Sequence, residues 1–240
     1  MSAAPEGRVV AVAGAGGPAG RAVVRRLAAQ GVRVAAADAD PSRLEDAVDG
    51  THDGTTAEGR VVDLLDADAT RAWVDDVVDR HGRLDGLVHL VGGWRGGKGL
   101  TAEALTHWAA LEPLLVRTLQ HTTLAAQEAL AAAPAGRFVV VSAAGAGAPT
   151  AGNAAYSAAK AAAEAWTLAL AHAFGRSGPG PAATILVVKA LLDEAMRAAR
   201  PDAAFDGYTH VDDLAVTIAG LWDRPTAELN GERLWLTPQP

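Results

Sequence analysis

Val9-Val-Ala-Val-Ala13-Gly14-Ala-Gly-Gly-Pro18-Ala-Gly20 decides the fold. Val9–Ala13 is an apolar run too short for a helix, and it breaks into glycines. Ala19–Gln30 then carries Val23 and Leu27 on one helical face and turns Arg21, Arg25 and Arg26 to water. Gly31 stops that helix, Val32–Ala37 reads as a second strand, and Asp38 stands at its end. A buried strand, a tight glycine turn, a helix and a second apolar strand make a parallel crossover unit.

The alternation continues along the chain. Asp40-Pro41 caps and opens a short helix through Val48, and residues 49–59 form a polar loop. Arg60–Asp63 reads as a third strand, and Asp66 caps a helix that turns Trp73, Val77 and Val78 inward. Leu87–Val91 is a fourth strand, followed by the loop Gly92–Gly99. Ala102–Ala133 is helical, with Pro113 expected to bend or break it. Phe138–Val141, a small-residue loop over 143–152, the helix Ala154–Phe174 and the strand Ala183–Val188 follow. The helix Val211–Trp222 and the strand Arg233–Leu236 complete the chain. The strands are continuous apolar runs, as in a parallel sheet covered on both faces. The expected fold is α/β, a Rossmann-type doubly wound parallel sheet of about seven strands with helices on both faces. No composition shift divides the chain, so residues 1–240 read as one domain.

Composition limits the functions available. A net charge of −7 argues against a nucleic-acid partner, and the absence of cysteine excludes disulfides, a thiolate nucleophile and zinc–thiolate ligation. The seven histidines form no H-x-H or H-x-x-x-H pair, so no metal site is expected. No run approaches the about 18 apolar residues of a membrane span, and Met1–Val10 lacks a secretory pattern. The expectation is a soluble cytoplasmic protein with no membrane partner. No G-x-S-x-G or GK[ST] motif points to a hydrolase or kinase.

The glycine turn permits close backbone approach, and the following helix offers free N–H groups and a positive dipole, the requirements of a bound pyrophosphate. Gly14, Gly16, Gly17 and Gly20 are therefore candidate cofactor residues; a plain strand–helix turn is the bland alternative. Asp38 is placed to accept hydrogen bonds from an adenosine ribose and to repel a 2′-phosphate. Ala15, in the turn, and Ala39, after Asp38, offer no cation to compensate a 2′-phosphate, so NAD(H) is favoured over NADP(H). Asp38 also reads as a solvated cap. Asp63, with Leu64, stands where such folds meet the adenine, and reads equally as an acid beside the next helix.

Tyr156-Ser-Ala-Ala-Lys160, downstream of this turn, resembles the short-chain dehydrogenase/reductase family along essentially the whole chain. Val91-Gly92-Gly93-Trp94 and Pro201-Asp-Ala-Ala-Phe205 resemble its dihydropteridine-reductase-like branch. The resemblance implies Tyr156 as general acid/base and Lys160 as the residue that lowers its pKa and bonds the nicotinamide ribose. It also implies Val91, Gly92 and Gly93 beside the cofactor, and a homodimer or homotetramer through the helices at 102–133 and 154–174. The spacing alone also admits an exposed tyrosine with an unrelated lysine.

Several positions depart from the family pattern. Ala13 and Pro18 replace a threonine and a glycine of the turn, shifting pyrophosphate contacts toward Gly16 or Gly17. Ala143 stands where the carbonyl-orienting serine lies; Ser142 substitutes only if the strand has ended or bulged there. Leu115 takes the place of the relay asparagine, and Lys189 and Glu194 those of the proline and threonine after the sixth strand. Lys189 reads as an ion-pair partner of Asp193 or Glu194, or as an anion contact. His89 reads as a core histidine or a cofactor neighbour, and Trp94 as a platform for a flat substrate or as loop packing; Arg95 and Lys98 beside it attract an anion or are merely solvated. The implied function is hydride transfer to or from a small carbonyl, alcohol or imine-like substrate. The rivals are a cofactor-binding protein without redox turnover and a non-redox enzyme reusing the Tyr/Lys pair.

Overall fold

A computed structural model describes residues 7–49, 51, 57–177 and 180–239. Most of the polar loop expected at 49–59, and the first six residues, lie outside them. A seven-stranded parallel sheet runs β3 (Ala57–Val61), β2 (Arg33–Asp38), β1 (Val9–Ala13), β4 (Gly86–His89), β5 (Arg137–Ala143), β6 (Ala182–Val188), β9 (Arg233–Trp235). It is the expected single Rossmann-like sheet.

The two-residue period of β1 explains why both faces are covered. Val10 and Val12 pack with α1 (Pro18–Ala28) and α8 (Val211–Gly220) through Val23, Leu27, Leu214 and Ile218. Val9, Ala11 and Ala13 point the other way. There α3 (Ala67–His81), α5 (Thr118–Ala132) and α6 (Ala154–Ser177) deliver Trp73, Val77, Leu119, Leu130 and Phe174. Each fully buried large side chain contributes about 1.5–3 kcal/mol relative to an exposed one. Asp66 caps α3 as expected, accepting from the N–H groups of Asp68 and Ala69.

Three expectations change. The third strand is Ala57–Val61 rather than Arg60–Asp63, because its register is set by β2, with Asp38 opposite Val61. Pro113 does not break the long helical region. It opens a single π turn, Pro113–Arg117, between α4 (Glu103–Glu112) and α5. Beyond β6 the chain forms two two-residue strands, β7 (Leu191–Leu192) and β8 (Thr209–His210), around α7 (Glu194–Ala199). The remaining helix, α2 (Pro41–Asp49), follows β2 as read.

The order of strands reverses between β1 and β4. A doubly wound sheet opens its ligand crevice at that point, outside the carboxyl ends of the strands. The glycine turn, Asp38 and the segment after β4 all stand there.

Candidate active site

Each glycine of the first turn has its own constraint. Gly14 adopts φ +79°, and a Cβ there would stand 2.7 Å from the Val91 nitrogen, so its bareness lets the turn touch the end of β4. A Cβ on Gly20 would meet the carbonyl oxygens of Gly14 and Ala15 at 2.3 and 2.4 Å. Gly16 lies against Asp38 and Arg43. The N–H groups of Gly14 and Ala15 are spent on the Ala37 carbonyl, at 2.9 and 3.0 Å. Those of Gly16 and Gly17 go to Asp38 Oδ2 (2.9 Å) and the Gly14 carbonyl (3.4 Å). Pro18 has no N–H, and α1 has no side-chain cap. Ala19 and Gly20 therefore hold the first-turn donors free of intrahelical partners. They face the dipole-positive end, which suits a pyrophosphate better than the expected Gly16 or Gly17 amides do.

The Asp38 carboxylate is held by the N–H groups of Gly16 and Asp40, the latter at 3.0 Å. Each oxygen keeps acceptor capacity for a ribose hydroxyl. Arg43, distant in sequence from the turn, reaches this rim from α2 and pairs with Asp40 at 3.0 Å. Asp63 is exposed and accepts the Leu65 N–H at 2.9 Å; Leu64 is buried, its carbonyl 2.9 Å from His121 Nδ1. Val91 is half-buried beside Gly14, and Gly92 and Gly93 continue exposed along the same edge.

Tyr156 and Lys160 meet as expected, one turn apart on α6. The Lys160 nitrogen stands 6.0 Å from the centre of the Tyr156 ring and donates to the Val141 carbonyl at 2.8 Å. Burial pushes the Tyr156 phenol up to about 12 and the Lys160 ammonium down to about 8, the latter opposed by Glu164. Burial, not the neighbouring ammonium, thus sets the phenol; the expected lowering by Lys160 is absent in this arrangement. At neutral pH the pair is a neutral phenol beside a charged amine.

Residues 8–189 match the family described as short chain dehydrogenase. The chain belongs to that family. Among curated relatives, the chain is 41% identical over 99 residues to a Streptomyces virginiae protein assigned as ketoacyl reductase of the monensin polyketide synthase, covering 40% of this chain and 36% of that one. It is 31% identical over 172 residues to 2,3-dihydro-2,3-dihydroxybenzoate dehydrogenase of Bacillus subtilis, covering 69% and 63%. The match thus spans less than two thirds of either relative. The fold recurs in a solved NAD+-bound xylitol dehydrogenase, with TM-score 0.81 and 20% identity over 97% of this chain and 98% of that one. It recurs also in an NADP-bound gluconate 5-dehydrogenase from Burkholderia cenocepacia, with TM-score 0.81 and 23% identity over 96% and 94%.

The end of the cleft near Tyr156 differs from the end at the glycine turn. β5 continues through Ala143, so Ser142 remains within the strand and its buried hydroxyl donates to Glu164 at 2.5 Å. The condition under which Ser142 replaces the orienting serine is not met. Leu115 packs with Leu111, Ala155 and Ala159 in an apolar cluster touching Tyr156. Lys189 pairs with neither Asp193 nor Glu194. It donates to the Asp206 carbonyl at 2.7 Å and stands 5.7 Å from the Tyr208 ring centre, while Asp193 caps α7 and Glu194 meets His210 at 3.2 Å. His89 is a satisfied core histidine, 3.1 Å from Thr122 and 3.4 Å from Thr118, and burial holds it neutral, down to about 3. Trp94 is 67% exposed in a loop whose Gly97 N–H bonds the Gly152 carbonyl at 2.8 Å, just ahead of Tyr156.

Glu164, one turn beyond Lys160, and Arg233 beside it are the charged neighbours that sequence reasoning missed. Glu164 is buried, and Arg233 Nη2 reaches it at 3.3 Å. The i,i+4 spacing of Lys160 and Glu164 was the available signal.

Proposed function

We propose that the protein is an NAD(H)-linked oxidoreductase that reduces a small carbonyl or imine-like substrate, with Tyr156 as proton donor and Lys160 as its support. The observation that carries the reading is the convergence of the phenol and the ammonium on the carboxyl side of the sheet that also bears the glycine turn. The residues fit a dinucleotide. Ala19 and Gly20 amides would meet the pyrophosphate, Asp38 the adenosine ribose, Val91–Gly93 the edge of the nucleotide, and Asp63 and Leu64 the adenine side. Lys160 keeps two N–H donors beyond its bond to Val141 for the nicotinamide ribose. The nicotinamide would supply the hydride. The Tyr156 phenol, neutral far above physiological pH, then donates its proton to the oxygen or nitrogen that gains negative charge. Reduction is the direction this protonation state serves.

Asp38 at the ribose supports NAD(H) over NADP(H); of the cations near it, Arg43 is paired to Asp40 and Arg21 donates to the Gly16 carbonyl at 2.7 Å. The likeness to 2,3-dihydro-2,3-dihydroxybenzoate dehydrogenase and the exposed Trp94 loop support a cyclic, flat substrate. Pterins belong in the panel because of the dihydropteridine-reductase-like resemblance. Exposed Leu124 and Leu168 on α5 and α6 support assembly as a dimer or tetramer, checked by light scattering. Titration with NADH and NADPH, followed by assay against cyclic ketones, quinones, imines and pterins, tests the proposal. Turnover with NADH that vanishes in Tyr156→Phe supports it; turnover unchanged in Tyr156→Phe overturns it.

One rival has a specific observation in its favour. Ala143, the diverted Ser142 and the apolar Leu115 remove polar devices from the substrate side, as expected of a cofactor-binding protein without turnover. Tight NADH binding with no hydride transfer to any member of the panel would favour it.

A further inference from the structure

Two consecutive residues of β5 hold two residues of α6 that are one turn apart. The Val141 carbonyl takes the Lys160 ammonium at 2.8 Å, and the Ser142 hydroxyl donates to Glu164 Oε1 at 2.5 Å. From β9, Arg233 brings Nη2 to 3.3 Å from Glu164 Oε1 and Nε to 3.2 Å from Oε2. Lys160 and Glu164 are each 8% exposed, and Ser142 2%. An ionised carboxylate this deeply placed is costly without charged partners, and an amine likewise.

We propose that Glu164 is a positioning residue that supplies the negative charge behind Lys160 and Tyr156, as the centre of a buried cluster with Ser142 and Arg233; it lies one helical turn from the ammonium, which itself bonds Val141 and not the carboxylate. The role rests on the hydride-transfer reading for its purpose, though not for its physics. The charged and titratable groups around Lys160 are few. Tyr156 and Glu164 share its helix, Arg233 lies beyond Glu164, and His89 on β4 is held neutral by burial between Thr118 and Thr122. Glu164 is the negative group that offsets the desolvation of Lys160. The cluster also ties α6 to β5 and β9 at the turn that bears the catalytic pair, where the serine and asparagine of the family pattern are missing.

The chain contains three lysines, Lys98, Lys160 and Lys189, so a lysine Cε-labelled sample gives an NMR titration assignable by two single Lys→Arg variants. In the full-length wild type, the Lys160 midpoint is expected at about 8. Glu164→Gln preserves shape and the capacity to bond Ser142 but removes the charge. It should lower the midpoint by about one unit, whereas Glu164→Asp should hold it within about half a unit. A merely structural clamp would not separate Gln from Asp in this way. An unchanged midpoint in folded Glu164→Gln overturns the proposal. Should that variant fail to fold, the double variant Glu164→Gln/Arg233→Leu decides, because it leaves neither member of that ion pair buried alone: the midpoint still falls, the nearer charge being the negative one, and a midpoint that rises or stays overturns the proposal. A midpoint that falls in Glu164→Gln while wild-type protein turns over nothing with NADH sinks the oxidoreductase reading and leaves the positioning role standing.

Discussion

The two ends of the cleft at the carboxyl side of the sheet are built by different means. At the adenosine end the backbone does the work: glycines without room for a Cβ, first-turn amides of α1, and one carboxylate held by two N–H groups. At the substrate end the work falls to side chains, and most of the expected ones are replaced. Ala143, Leu115 and Lys189 stand at the altered positions, and Tyr156 and Lys160 remain. Backbone devices survive side-chain drift because they depend on φ and close packing, whereas a polar side chain is lost in one substitution. On the proposed function, the difference teaches that binding is the more robust property and that chemistry hangs on two residues.

The sharpest way to break the comparison is Tyr156→Phe. If chemistry hangs on the phenol, turnover falls by about 10²–10⁴ while NADH affinity stays within about twofold, read by steady-state kinetics and fluorescence titration. A loss of affinity equal to the loss of rate would mean the two ends are not separable. Gly20→Ala attacks the other end. Its Cβ must displace the Gly14 and Ala15 carbonyls, so NADH affinity should fall by about a hundredfold and stability by about 2 kcal/mol, read by titration and thermal unfolding. Normal affinity there would show that the turn does not cradle the nucleotide.

Smaller effects sharpen the contrast. Asp38→Ala should reduce the preference for NADH over NADPH by about tenfold, measured as a ratio of dissociation constants. Ala143→Ser adds a hydroxyl at the family position and should raise kcat about fivefold, the worth of one modest hydrogen bond. The pH profile carries its own sign. The ammonium of Lys160 is present below about 8 and lost above it, so reductive turnover should hold at neutral pH and decline as pH rises through that value. A rate that climbs steadily above it would place the controlling group elsewhere.

Most of the fold was legible because apolar runs and glycine breaks act locally. β1, α1 and Asp38 could be read residue by residue. β3 was displaced because Ala57-Glu-Gly-Arg-Val61 has no strand pattern of its own, and its place comes from pairing with β2 at the sheet edge. β7, β8 and α7 are too short for a periodic signal. Tyr156 and Lys160 were legible through the family resemblance, since their spacing alone left an unrelated pair open. The cluster behind them was not, since Ser142 and Glu164 are 22 residues apart and Glu164 and Arg233 are 69 apart. The bond that diverts Ser142 became visible only once α6 was packed on β5. Arg43 was hidden likewise, carried to the Asp38 rim by α2.

Following the deuterium of NADH labelled at the nicotinamide C4 tests hydride transfer at the Tyr156–Lys160 pair most directly. The label should appear in the product of at least one cyclic ketone, quinone, imine or pterin with wild-type protein, and be lost with Tyr156→Phe. Protein that binds NADH tightly yet passes label to none of them would contradict the account.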